Sequence, residues 1–350
     1  MTAVLTPPPS TVDTVARGRV RRAARRRLVI TLLALAVLVA FAVTLMVGRT
    51  FYPPGDVLRV VLGSDVPGAS FTVGTLRLPR AVLAVVAGLS FGLAGVTFQT
   101  MLRNPLASPD VIGITSGASA AAAFAIVVLG WSGTAVSVTA IVSALGVALL
   151  IYTLAFKDGV AGTRLILIGI GVAAMGKSVT SYVLSKAGAW DFAEALRWLT
   201  GSLNGSTWEA TVPALVALLV FGPVLLGQTR NLSALQLGDD TASALGVRVE
   251  RTRVIAIVAA VALLAFATAA CGPIAFVSFL AGPIAARLVG PNGSLLVPAA
   301  LVGALLVLVA DLCGQYAFGT RYPVGVITGV LGAPYLIYLI VRSNRTGGSL

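Results

Sequence analysis

Apolar stretches about twenty residues long recur along most of this chain, and they restrict its fold more than any other feature. A helix needs roughly 20 apolar residues to cross a hydrocarbon core of about 30 Å. The sequence predicts ten such spans, near residues 28–48, 79–99, 110–130, 134–156, 164–186, 208–227, 253–271, 273–289, 295–316 and 324–342. The eighth is short and flanked by prolines. Bulk composition agrees, with 57% of residues hydrophobic and only 11% charged, where a soluble domain carries about 25%. Backbone polar groups in lipid must be satisfied internally, and the apolar runs lack the alternation of barrel strands. The expectation is an all-α integral membrane protein. No loop is long enough to hold a second domain, so residues 28–342 read as one unit.

Charge sets the orientation. Residues 1–27 read as a disordered basic tail, in which a Thr-, Pro- and Val-rich start precedes the run Arg17 to Arg27. The apolar run that follows is about 20 residues, longer than the 7–15 of a secretory signal core, and FYPPG follows it instead of a small-residue cleavage site. It reads as an uncleaved first span. Of the 25 Lys and Arg residues, 17 fall on the side of the N-terminus, 7 on the other, and Lys177 within a span. That asymmetry follows the positive-inside rule and puts both termini, including the short tail 343–350, in the cytoplasm. A basic tail also suits nucleic acid, but topology explains it more simply, and no nucleic-acid partner is expected.

Residues with the capacity for chemistry are few. Gly171 to Ser178 matches the phosphate-loop pattern G-x-x-x-x-G-K-[ST]. That motif needs a strand before it and a soluble helix after it, and here it sits inside the apolar run Leu165–Leu184. There is no His, which removes the commonest general base and metal ligand. Cys271 and Cys313 lie alone in apolar spans and read as small core residues. The chain is expected to be no enzyme, with no metal and no cofactor. Lys177 stands inside the fifth span, where a charge costs about 2.5–3.5 kcal/mol on insertion scales. It has two readings: a snorkelling or Asp311-paired cation, or a positive group lining a path for an anionic solute. Gly88 with Gly92 and Gly113 with Gly117 are spaced to share helix faces and to let backbones approach closely. Pro105, Pro109, Pro273 and Pro283 mark places where spans begin or break, a pattern that fits a transporter.

One polar segment, Gln228 to Arg253, interrupts the apolar pattern and carries helix punctuation. Asp239 and Asp240 are suited to N-capping, and Gly246 suits the left-handed residue that ends a helix. The segment is either a handle for a soluble partner or a solvated loop between spans.

Several separate motifs then occur in a recognisable order: Leu76-Arg77-Leu78-Pro79-Arg80, Gly95 to Gln99, Arg103-Asn104-Pro105 through Asp110 to Gly113, Gly201 to Gly205, Leu237-Gly238-Asp239-Asp240 to Gly246, Gly272 to Phe276, Ala310-Asp311 and Pro323 to Gly325. Together they resemble the iron-siderophore and vitamin B12 permeases of ATP-binding-cassette importers. The wording LILIGIG, GSLNG, LGDDTASALGV and ADLC is most similar to the branch that serves ferric enterobactin, a catecholate siderophore. The resemblance covers roughly residues 28–342 and implies the type II importer permease fold in a bacterial plasma membrane. It implies a second, related permease as partner, with a heterodimer favoured over a homodimer. It also implies two cytoplasmic ATPases and an extracytoplasmic siderophore-binding protein. By the same resemblance Leu237, Gly238, Asp239, Asp240, Ala244, Leu245 and Gly246 form the ATPase-coupling element. Arg77 and Arg80 meet acids on the binding protein, and Arg321 adds outer positive charge. Lys177 faces the translocation path. A third docking arginine of the family aligns with Gln315, which puts that contact in doubt. The alternatives are a B12 or haem permease of the same family, an ion-coupled secondary transporter with Asp311 as its only fair intramembrane acid, or a membrane enzyme.

Overall fold

The apolar runs fold as helices, and there is no strand among the described residues. The computed structural model describes residues 11–110, 112–155, 162–290 and 293–345. In chain order the helices are α1 (Thr11–Met46), α2 (Pro54–Val61), α3 (Leu78–Met101, entered through a π-helical stretch Ser70–Arg77), α4 (Ile114–Val127), α5 (Thr134–Ala155), α6 (Gly162–Ser185), α7 (Ala189–Thr200), α8 (Trp208–Gly227), α9 (Thr229–Leu235), α10 (Asp239–Ala244), α11 (Val249–Cys271), α12 (Val277–Val289), α13 (Leu296–Tyr316) and α14 (Val324–Arg345). Each of the ten expected spans coincides with one of α1, α3–α6, α8 and α11–α14.

Seven of these helices are long and apolar enough to cross a membrane, and three apolar ones are shorter: α4, α12 and the apolar part of α14, Val324–Leu339. The third expected span, 110–130, is the most reduced, because the polar, proline-containing stretch 102–113 turns before α4 begins. Gly113 has φ 90 and is the N-cap of α4, so it does not share a helix face with Gly117 as its spacing suggested.

The expected disordered tail is corrected in part. Helix α1 begins at Thr11, so the arginines from Arg17 to Arg27 extend the first helix beyond the apolar run. Residues 1–10 and 346–350, parts of the two expected tails, lie outside the described residues.

Helix α3 is the shaft around which the others pack. In its most apolar 18-residue stretch 83% of the residues are buried, against 17% in that of α6. Small residues are the reason. A Cβ on Gly88 would sit 2.5 Å from the Cα of Ala304, and one on Gly92 would collide with the Ala299 carbonyl. On Gly95 it would collide with the Ser278 carbonyl. Backbones of α3, α13 and α12 therefore touch, where dispersion contacts replace a hydrophobic drive that lipid does not supply. At 24 residues α3 is about 36 Å long, and it separates two differently built ends.

Candidate functional site

At the C-terminal end of α3 lies α10, a helix of six residues. Glycines set its limits. Gly238 enters it with φ 108 and Gly246 leaves it with φ 83, both conformations that disfavour a side chain. Neither Asp239 nor Asp240 caps it through a side chain, contrary to the sequence expectation. The Asp239 carboxylate is drawn backwards by two arginines. It accepts a hydrogen bond from Arg103 Nη2 at 3.1 Å and from Arg253 Nη2 at 2.7 Å. Arg253 is nearly buried and also lies 3.5 Å from Glu250. Ala242 is fully buried beneath the helix. The front is bare: Leu237 and Leu245 are each 64% exposed, and Asp240, Ala244 and Gly246 are exposed with them. The result is a rigid knob with ionic anchors behind and two leucines in front.

The anchors continue inward. Arg103 holds a left-handed backbone at φ 52, a conformation uncommon for a residue with a side chain. The polypeptide then runs to Asp110, which accepts hydroxyl hydrogen bonds from Thr115 at 2.6 Å and Ser278 at 2.8 Å. The stretch that includes Arg103 and Asp110 thus ties α10 to α3, α4 and α12. Sequence reasoning recognised its letters but missed its bonds. The only available signal was a cluster of polar residues at a span end.

The opposite end concentrates charge in a different way. Arg80 grips Asp311 with two parallel hydrogen bonds, Nε to Oδ2 at 2.9 Å and Nη2 to Oδ1 at 2.7 Å. Its Nη1 donates to Asn204 Oδ1 at 2.7 Å, and Gln315 donates to Asp311 at 2.7 Å. Asp311 is 2% exposed. Its partner is Arg80 and not Lys177, which removes the Asp311 pairing from the readings of Lys177 and leaves snorkelling and path-lining. A carboxylate whose two oxygens are both engaged this way is poorly placed to ligate a transported sodium ion. Arg77 is also engaged. Nη1 donates to the carbonyls of Leu45 and Met46, and Nη2 to that of Thr50, so the guanidinium closes the end of α1. It also lies 5.1 Å from the Tyr52 ring. Arg321 is exposed, as is the neighbouring Tyr322.

Lys177 lies on the exposed side of α6 with Ala174, Ser178 and Ser181. The letters from Gly171 to Ser178 are continuous helix. Their backbone N–H groups are used within the helix, and no phosphate cradle exists there.

A bundle with this many membrane-length helices, a glycine-packed shaft and an anchored knob at one end is a membrane transport permease. Comparison with known proteins makes that class specific. The chain belongs to the FecCD transport family, which matches residues 35–342. It is 41% identical over 325 residues to the ferric enterobactin transport system permease protein FepG of Escherichia coli (strain K12), covering 91% of this chain and 98% of that protein. It is 41% identical over 318 residues to the achromobactin transport system permease protein CbrC of Dickeya dadantii, covering 90% of each. Among solved structures, an inward-facing metal-chelate type ABC transporter superposes with a TM-score of 0.80 at 28% identity, covering 89% of this chain and 98% of the other. This chain is a permease of the siderophore and B12 importer type, a transport component and not an enzyme. The class implies ATPase and binding-protein partners.

Proposed function

We propose that the chain is one of two related permease subunits in a plasma-membrane importer for a ferric siderophore of catecholate type. The end bearing α10 faces the cytoplasm, where the excess of arginine and lysine belongs. The knob is the coupling helix: Leu237 and Leu245 enter a groove on the ATPase, Asp240 and Ala244 lie along its rim, and the two glycines fix the turn. Asp239 transmits load to Arg103 and Arg253. ATP binding draws the ATPases together and shifts the population of inward-facing and outward-facing permease, with no chemistry on the solute. The binding protein docks at the far end. There Arg321 offers exposed charge, while Arg77 and Arg80 contribute by sharing hydrogen bonds they already make. Lys177 lines the path of an anionic ferric complex.

The observation that carries this reading is the exposure of Leu237 and Leu245 on an element anchored by Asp239 and Ala242. A mere connecting loop has no need of either feature. The catecholate assignment is supported by the likeness to a ferric enterobactin permease. A cobalamin cargo is the second reading, favoured by 37% identity over 275 residues to the cobalamin import permease BtuC of Halobacterium salinarum. Asp240→Lys and Leu245→Asp are expected to abolish ATP-driven uptake of ferric enterobactin while the protein still inserts. Unchanged uptake in both variants would remove the coupling role.

A further inference from the structure

The basic start of α1 has a use that topology alone does not require. Helix α1 is unbroken over 36 residues, about 54 Å, whereas a bilayer with its headgroups is about 40–45 Å thick. Its apolar part begins at Leu28, so the overhang is the arginine-bearing end. Arg22, Arg21 and Arg19 stand about 9, 10.5 and 13.5 Å beyond Leu28 along the axis. The headgroup layer of one leaflet is only about 5–7 Å deep. Arg25, Arg26 and Arg27 fall within that layer, and Arg19, Arg21 and Arg22 project past it, as does Arg17.

This overhang repels itself. Arg21 with Arg25 and Arg22 with Arg26 are like charges at i,i+4, and Arg19 with Arg22 at i,i+3. Each such pair destabilises a helix. Arg19, Arg21, Arg22, Arg25 and Arg27 are all exposed. An acidic surface alongside would turn each of these penalties into attraction.

The overhang reaches a cleft shared with the segment that leads into the knob. Arg26 donates to the Ser294 carbonyl. Ser294 lines a cleft with Thr100, Leu232 and Gln236, and Gln236 is two residues before Gly238. A soluble subunit seated on α10 therefore has the arginine helix beside it.

We infer that the α1 overhang is a second docking surface, on which Arg19, Arg21 and Arg22 bind an acidic flank of the soluble subunit seated on α10. The inference rests on the coupling role proposed for α10. The test uses full-length permease in nanodiscs, titrated with its cognate ATPase subunit at low and at high ionic strength. The variant replaces Arg19, Arg21 and Arg22 with Gln and keeps Arg25, Arg26 and Arg27 to preserve insertion. A second variant carries Lys at the same three positions. In neutral-lipid discs the Gln variant is expected to bind roughly tenfold more weakly at low salt, with the difference vanishing at high salt, and the Lys variant to recover most of the affinity. Equal affinity for the Gln variant and the unaltered protein at low salt overturns the inference. So does a loss seen only in discs containing phosphatidylglycerol, which assigns the arginines to lipid headgroups. Leu245→Asp is run in parallel. Its loss of binding at every salt concentration keeps the coupling role even where the arginine variant has no effect, and its normal binding removes the coupling role itself.

Discussion

The two ends of α3 use arginine in opposite ways. At the α10 end, Arg103 and Arg253 hold an element in place from behind, and the residues presented outward are mainly leucine and a free aspartate. At the far end, Arg80 and Arg77 spend their hydrogen bonds on Asp311, Asn204 and the last carbonyls of α1, and of the three arginines proposed for docking only Arg321 is left in the open. One end is an anchored shape with bare leucines. The other is a closed electrostatic lock with a charged rim. The difference teaches that an arginine at a span end says little about docking until its partners are known.

The largest effect is expected from breaking what joins the ends. Gly92→Leu forces a side chain into the Ala299 backbone and should prevent assembly of the bundle, seen as loss of monodisperse protein after extraction. A well-folded Gly92→Leu protein would show that α3 and α13 need no close approach. Next comes the closed lock. Asp311→Ala leaves Arg80 with an unpaired, largely buried charge, a loss of about 3–5 kcal/mol, readable as a lowered unfolding temperature. A change no larger than that of a surface mutation would mean the pair is solvated. At the knob, Asp239→Asn keeps the shape and weakens two charge-assisted bonds, of which only that to Arg253 is well shielded. The expected cost is about 1–3 kcal/mol, with ATP-driven uptake reduced more than expression. Equal uptake per molecule would separate the anchors from transport. Smallest is Arg321→Gln, worth at most about 1 kcal/mol as an exposed charge. It should slow binding-protein association at low salt and leave maximal uptake unchanged.

The span positions were readable because an apolar run of membrane length has few alternatives in lipid. The close contact at Gly88 and Gly92 was readable for a related reason, since two small residues one turn apart mark a backbone approach. Helices α2, α7 and α9 were not foreseen, because they are short segments between spans with no membrane-length apolar run. The pairings were hidden too. Arg80 and Asp311 are 231 residues apart in the chain, and nothing in either neighbourhood names the other. Asp239 was read as a local cap because a sequence shows local options first. The fold brought Arg103, 136 residues away, and Arg253, 14 residues on, within reach, and a charged partner outcompetes a backbone N–H. The phosphate-loop letters failed for the converse reason: local spelling was right and the surrounding helix left no free donors.

Lys177 has one more consequence. Among the described residues it makes no hydrogen bond or ion pair, and it stands well inside α6 on a side this chain leaves open. A solitary copy in lipid bears a burden of about 2.5–3.5 kcal/mol at that one ammonium group. Any companion that covers the side with protein or water lifts it. If Lys177 meets lipid in a lone copy, a companion on that side would favour the assembled subunit by that amount.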